Sequence, residues 1–123
     1  MLFWKVLGIL WLAYLVGSIP TSVWVGKLFY SMDVREHGSG NAGATNTIRV
    51  LGLKPGIPVL LFDAFKGWFG VWIAANTGFF PTGSETMINF QLAMGISAVL
   101  GHVFPVFAGF RGGKGVATLF GVV

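Results

Sequence analysis

The sequence predicts an all-α, polytopic integral membrane protein, with three transmembrane helices and the start of a fourth in one membrane domain over residues 1–123. Three observations carry this prediction. Hydrophobic residues make up 54% of the chain and charged ones only 10%, and the mean hydropathy is +0.78, which describes a membrane protein and not a soluble domain. Apolar runs at about 2–30, 57–80 and 87–107 each reach the ~20 residues a helix needs to cross a bilayer. The polar residues between them are gathered into two glycine-rich basic islands, within 31–56 and 108–118, that cannot themselves be spans.

The same composition excludes several classes of chemistry. There are no cysteines, so disulfides, thiolate catalysis and thiolate metal sites are absent. His37 and His102 are the only histidines, and they stand far apart without carboxylates at ligand spacing, so no metal site and no cofactor are expected. The net charge of +4 is spread among apolar spans with no contiguous basic patch, which argues against nucleic acid. Membrane lipids and phosphorylated small molecules are the expected partners.

Taken in order, residues 2–30 are too long for a simple span. A helix of about 29 residues is roughly 43 Å long against a ~30 Å hydrocarbon core, so it must tilt, kink or protrude. Pro20 is the kink site, and the carbonyl it frees near Val16 is expected to meet Ser18, Thr21 or water. A signal peptide is the alternative, but the run is long for one and lacks an obvious small-residue cleavage pair.

Residues 37–49 form the island on which the rest of the chain is organised. Gly38, Gly40 and Gly43 free the backbone for positive φ and close approach to a ligand, Ser39, Asn41, Thr45 and Asn46 add short polar groups, and Arg49 adds a fixed cationic fork. Free amides, hydroxyls and one guanidinium are the makings of a phosphate site. A plain flexible loop is the simpler reading of such a cluster. The string 38–43 also matches G-x-G-x-x-G, with Asp63 near the place of a ribose-binding acid, but a dinucleotide fold needs a preceding strand, and here a membrane helix precedes it.

The second run carries Asp63 and Lys66 at i,i+3, on one helical face, which reads either as a structural ion pair near the membrane surface or as part of a polar cavity. Pro81 closes this run, and the link 82–86 has no Lys or Arg. In the third run Pro105 marks the loss of regular helix, and the simpler reading of His102 is structural. The second island departs from a Walker A loop at Ala108 and Gly115, yet Gly112, Gly113 and Gly115 beside Lys114, with Thr118 one turn on, have the same capacity for phosphate. Both islands are basic and the link is not, so the positive-inside rule places both on the cytoplasmic face.

The residue strings are specific. Ser39-Gly-Asn-Ala-Gly-Ala-Thr-Asn46 with Arg49, preceded by Gly17-Ser-Ile-Pro20 and followed by Asp63-Ala-Phe-Lys66-Gly67, Gly101-His-Val-Phe-Pro105 and Phe110-Arg-Gly-Gly-Lys-Gly-Val-Ala-Thr118, resembles the bacterial membrane glycerol-3-phosphate acyltransferases that use acyl-phosphate as donor. Two departures accompany the resemblance: Arg111 stands where many members have Lys, and the family's third polar motif, with a His and an Asn further along, is not reached within these 123 residues. With the apolar run 119–123 just begun, the expectation is a chain truncated at its C-terminus.

The resemblance implies acyl transfer from acyl-phosphate to the 1-hydroxyl of glycerol 3-phosphate, at a bacterial inner membrane, as a step of phospholipid synthesis. In that scheme Ser39, Arg49 and Lys114 are the catalytic candidates, with Ser39 favoured as a binding group over a nucleophile. The substrate-binding candidates are Gly38, Gly40, Asn41, Gly43, Thr45, Asn46, Gly112, Gly113, Gly115 and Thr118, and Asp63, Lys66 and His102 support them. The rival reading is a membrane transporter of phosphate or an organic phosphate, since broken helices and intramembrane charge suit that too.

Overall fold

Proline has no N–H and its ring opposes continued helix, so the first apolar run divides in two. The computed structural model, which describes all of residues 1–123, has α1 over Leu2–Gly17 and α2 over Thr21–Phe29 in place of one kinked helix. The expected rescue of the Val16 carbonyl by a side chain or water is corrected. Its oxygen accepts the Ile19 N–H at 3.2 Å, while Ser18 Oγ turns back to the Tyr14 carbonyl at 2.8 Å. The Gly17 carbonyl is left over at the break and the Ile19 carbonyl accepts the Thr21 N–H at 3.0 Å, and Lys66 Nζ, from another helix, reaches both oxygens at 3.1 and 3.0 Å.

The first island is not all loop. After a short 3₁₀ turn at Val34–Glu36, residues Ala44–Leu51 form α3, which Gly52 ends with φ of 97°. Helix α4, Leu53–Ala75, starts and stops earlier than the apolar run 57–80 suggests. Pro55 lies in its first turn, where a missing N–H costs nothing, and the end comes at Asn76, whose Nδ2 donates to the Trp72 carbonyl at 2.8 Å, well before Pro81. Helix α5, Glu85–Val103, begins with Ser84 Oγ accepting the Met87 N–H at 3.1 Å and ends before Pro105. A second 3₁₀ turn, Val106–Ala108, leads to α6, Val116–Val122. The stretches Leu2–Phe29, Leu53–Ala75 and Glu85–Ala108 are long and apolar enough to cross a membrane.

In lipid the apolar effect does not bring helices together, and close backbone approach must do so. Small residues supply it. Gly17 meets the backbone of Ala98, Gly101 meets the α1 backbone from Tyr14 to Ser18, Gly67 meets Thr118 and Gly121 meets Ala64. A cluster of buried apolar residues, Ala13, Ala74, Met87, Phe90 and Met94, fills the end of the bundle where α4 passes into α5. Bulky aromatics such as Trp4, Trp11, Trp68 and Trp72 face outward, as lipid contact requires. Because α4 and α5 form a hairpin, the start of α4 and the end of α5 share the other end, and both islands sit there. Arg35 ties them together, its Nη1 donating to the carbonyls of Ala108 at 2.7 Å and Arg111 at 3.1 Å.

Candidate active site

The first island is shaped by one amide. Asn46 is buried, and its Nδ2 lies at 2.9 Å from the Val34 carbonyl, 3.1 Å from that of His37 and 2.8 Å from that of Asn41, while its Oδ1 accepts the Ser39 N–H at 2.9 Å. The chain must coil tightly around it. Gly38 does so at φ of 57°, where a Cβ would run into Asn46 Oδ1, and Gly40 follows at φ of 78°. Asn41 Oδ1 accepts the Gly43 N–H at 2.8 Å, and Ser22 Oγ of α2 anchors the Ala42 carbonyl. The outcome is an α3 whose first-turn N–H groups, on Ala44, Thr45 and Asn46, have no partner within the protein.

A cavity of about 700 Å³ opens against that turn. Its polar wall holds Ser39, Asn41, Thr45, Arg49 and Lys114, and its apolar wall holds Leu60, Leu61, Val116 and Phe120. Neither Arg49 nor Lys114 makes an ion pair, so two unneutralised cations face one space. The N-terminus of α3, with its partial positive charge, adds to the same field. Ser39 Oγ accepts only a long hydrogen bond from the Asn41 N–H, 3.4 Å, which leaves its O–H free to donate outward. His37, the one base near it in sequence, makes no hydrogen bond to it.

Behind the polar wall lies the buried cluster of Asp63, Lys66 and His102. Lys66 Nζ is 3.0 Å from Asp63 Oδ1 and 2.9 Å from His102 Nδ1, and both Asp63 and Lys66 are 1% exposed. The ion pair is therefore enclosed by protein and not exposed to solvent. The lysine bridges α4, α5 and the α1–α2 break. Asp63 and His102 reach the cavity, and Lys66 does not.

The structure gathers Ser39, Asn41, Gly43, Thr45, Asn46, Arg49, Lys114 and Gly115 around the cavity, as well as Asp63 and His102. It does not bring every candidate there. Gly38 and Gly40 turn the loop behind Asn46, Gly112 packs on the His102 carbonyl, and Gly113 lies against His102 Nε2 and Gly43. Thr118 is fully buried with its hydroxyl unpartnered, at the contact with Gly67, away from the cavity, so it is corrected from a ligand group to a helix-packing residue. Asn46 lines the cavity, but its amide is engaged with its own loop, which makes it an organiser and not a ligand group.

Arg35 was not among the sequence candidates. Asp33, two residues before it, was the available signal. The Asp33 carboxylate accepts from Arg35 Nε at 3.0 Å and Nη2 at 2.8 Å, and these hydrogen bonds pull its pKa down to about 2. The apolar wall was also missed, because its residues are indistinguishable in sequence from lipid-facing ones.

Comparison with known proteins places this geometry. Residues 7–123 match the family model described as glycerol-3-phosphate acyltransferase. The chain is 49% identical over 119 residues to the glycerol-3-phosphate acyltransferase of Streptococcus equi subsp. zooepidemicus (strain MGCS10565), covering 97% of this chain and 52% of that protein. Identity is also 49% to the enzyme of that name from Streptococcus pyogenes serotype M5 (strain Manfredo), with 97% and 53% covered. The chain thus spans about half the length of the curated relatives it matches. Among solved structures it resembles PlsY (YgiH), an integral membrane glycerol 3-phosphate acyltransferase, in its glycerol 3-phosphate form, with a TM-score of 0.83, 42% identity, and coverage of 96% of this chain and 56% of that one. Against the lysophosphatidic acid form the TM-score is 0.78 at 40% identity, with 96% and 55% covered.

Proposed function

Because the chain belongs to the glycerol-3-phosphate acyltransferase family, we propose that the protein transfers an acyl group from an acyl-phosphate to the 1-hydroxyl of glycerol 3-phosphate, forming lysophosphatidic acid in the bilayer. The observation that carries this reading is the two-sided cavity. Arg49, Lys114 and the free amides of α3 meet a phosphate, and Leu60, Leu61, Val116 and Phe120 meet a fatty chain.

In the reaction the 1-hydroxyl oxygen attacks the acyl carbonyl carbon, the bond from that carbon to the phosphate oxygen breaks, and inorganic phosphate leaves. The hydroxyl proton goes to a phosphate oxygen of the donor, since Asp63 is paired with Lys66 and no other carboxylate lines the cavity. An acyl-phosphate is already activated, so the protein's work is to hold two anions that repel one another and to stabilise charge on the leaving phosphate. Arg49 and Lys114 offset that charge. Ser39 donates a hydrogen bond and forms no acyl ester.

The setting is the bacterial inner membrane, with both islands on its cytoplasmic face. A transporter would need polar access from two sides, and here both islands share one end of the bundle. The test is to supply acyl-phosphate and glycerol 3-phosphate to the full-length protein in lipid. Lysophosphatidic acid and phosphate should appear in equal amounts, and their absence would refute the reading.

A further inference from the structure

His102 stands where the two islands meet. A Cβ on Gly113 would lie 2.6 Å from His102 Nε2 and 3.0 Å from the Gly43 nitrogen, so the outer edge of the ring occupies the seam between the islands. The ring is 7% exposed and borders the cavity. Nε2 has no hydrogen-bond partner in the protein, whereas Nδ1 is 2.9 Å from Lys66 Nζ.

That contact settles where the ring's proton sits. An ammonium has donors only. Of the three Lys66 Nζ hydrogens, two go to the carbonyls of Gly17 at 3.1 Å and Ile19 at 3.0 Å, which leaves the third for His102 Nδ1. Asp63 Oδ1 at 3.0 Å balances the charge as an ion-pair partner without a hydrogen bond. A proton on Nδ1 would point straight at that cation, and Asp63 Oδ1, 3.7 Å from Nδ1, is too far to accept it. Nδ1 therefore accepts from Lys66, the ring is neutral, and its N–H is on Nε2.

We propose that His102 binds substrate, its Nε2–H donating to a phosphate oxygen held at the seam between the islands, and that Lys66 is the positioning residue that fixes the proton on that nitrogen. This deepens the acyltransferase reading and rests on it. A neutral donor orients an oxygen without adding a third positive charge that would retain the phosphate product.

Two substitutions separate the roles of the ring nitrogens. His102→Asn places an oxygen near Nδ1, which keeps the Lys66 contact, and removes the outer donor. His102→Gln restores an N–H near Nε2 and gives up the inner acceptor. In His102→Asn the KM for glycerol 3-phosphate or for acyl-phosphate should rise roughly tenfold or more, as for a lost hydrogen bond to a charged group, with a near-normal melting temperature. The substrate whose KM moves identifies the phosphate concerned. His102→Gln should melt lower and keep its KM values closer to those of the unaltered protein. Both KM values unchanged in His102→Asn would overturn the proposal.

Nitrogen NMR of the unaltered protein gives an answer that needs no variant to fold and no turnover. A neutral ring protonated on Nε2, whose signal moves when inorganic phosphate is added, supports the proposal. A proton on Nδ1, or no response to phosphate, refutes it. If the protein binds phosphate at this ring yet makes no lysophosphatidic acid, the proposed activity fails and the site stands.

Discussion

At the scale of single residues, the candidate site separates groups that face the cavity from groups that make it possible to face it. Arg49 belongs to the first kind, free of any partner and set about one turn along α3 from the unsatisfied amides. Arg49→Lys keeps the charge but loses the planar fork, so kcat/KM should fall by roughly tenfold or more, equivalent to about 1.4 kcal/mol. Full activity would show that charge alone is required there. Asn46 belongs to the second kind. Asn46→Asp is nearly isosteric, yet it would turn a buried donor into an oxygen facing the carbonyls of Val34, His37 and Asn41. The expected cost is about 3 kcal/mol or more, read as a lower melting temperature in detergent and faster exchange of the Ser39 amide. An unchanged melting temperature would mean the loop does not depend on this hub.

At the scale of elements, the bundle is held by glycines at crossings and by one clasp at the loops. Gly101 lies against the α1 backbone so closely that a Cβ there would overlap Tyr14 and Ser18 main-chain atoms, whereas Gly8, on the same α1, has nothing within 4 Å. Gly101→Ala should therefore lower the melting temperature by several degrees, while Gly8→Ala leaves it equal or slightly raised through helix propensity. Equal effects of the two would refute packing as the cause. The clasp is Arg35, aimed at Ala108 and Arg111 by its bonds to Asp33. Since the folded Asp33 pKa is about 2 against an ordinary 3.8, its contribution is complete above pH about 4 and is lost as the pH falls through 2. Exchange of the Arg35 amide, which donates to Asp33 Oδ1 at 2.9 Å, should quicken over that window and should be fast throughout in Asp33→Ala, which has no acceptor there. A slow amide in Asp33→Ala would show that the aspartate does not hold this turn.

At the scale of the whole molecule, the sequence contained what repeats along the chain and lacked what joins distant parts of it. Apolar length announced three spans, and the glycine-rich strings announced where phosphate chemistry would lie, because both are local properties. Lys66 was visible as half of an i,i+3 pair, but its carbonyl partners at Gly17 and Ile19 lie more than forty positions away and exist only once Pro20 has broken the helix. Thr118 looked like a ligand by spacing from Lys114, and only the crossing of α6 on α4 shows it turned inward. That the two islands share one face, by contrast, follows from topology as well as from charge. One hairpin, α4 to α5, puts residues 31–52 and 104–115 at the same end, and the Arg35 clasp requires it. Single cysteines at Glu36 and Arg111, both exposed, should therefore react with an impermeant thiol reagent from one side of the membrane, the cytoplasmic one, and a cysteine at exposed Thr82, in the α4–α5 link, from the other. The buried Ala42 would be a poor site for the same experiment, since its slow labelling would report packing and not sidedness. Labelling of Glu36→Cys and Arg111→Cys from opposite faces would break the clasp, the shared cavity and the single-surface reaction together, because all three require the two islands to meet.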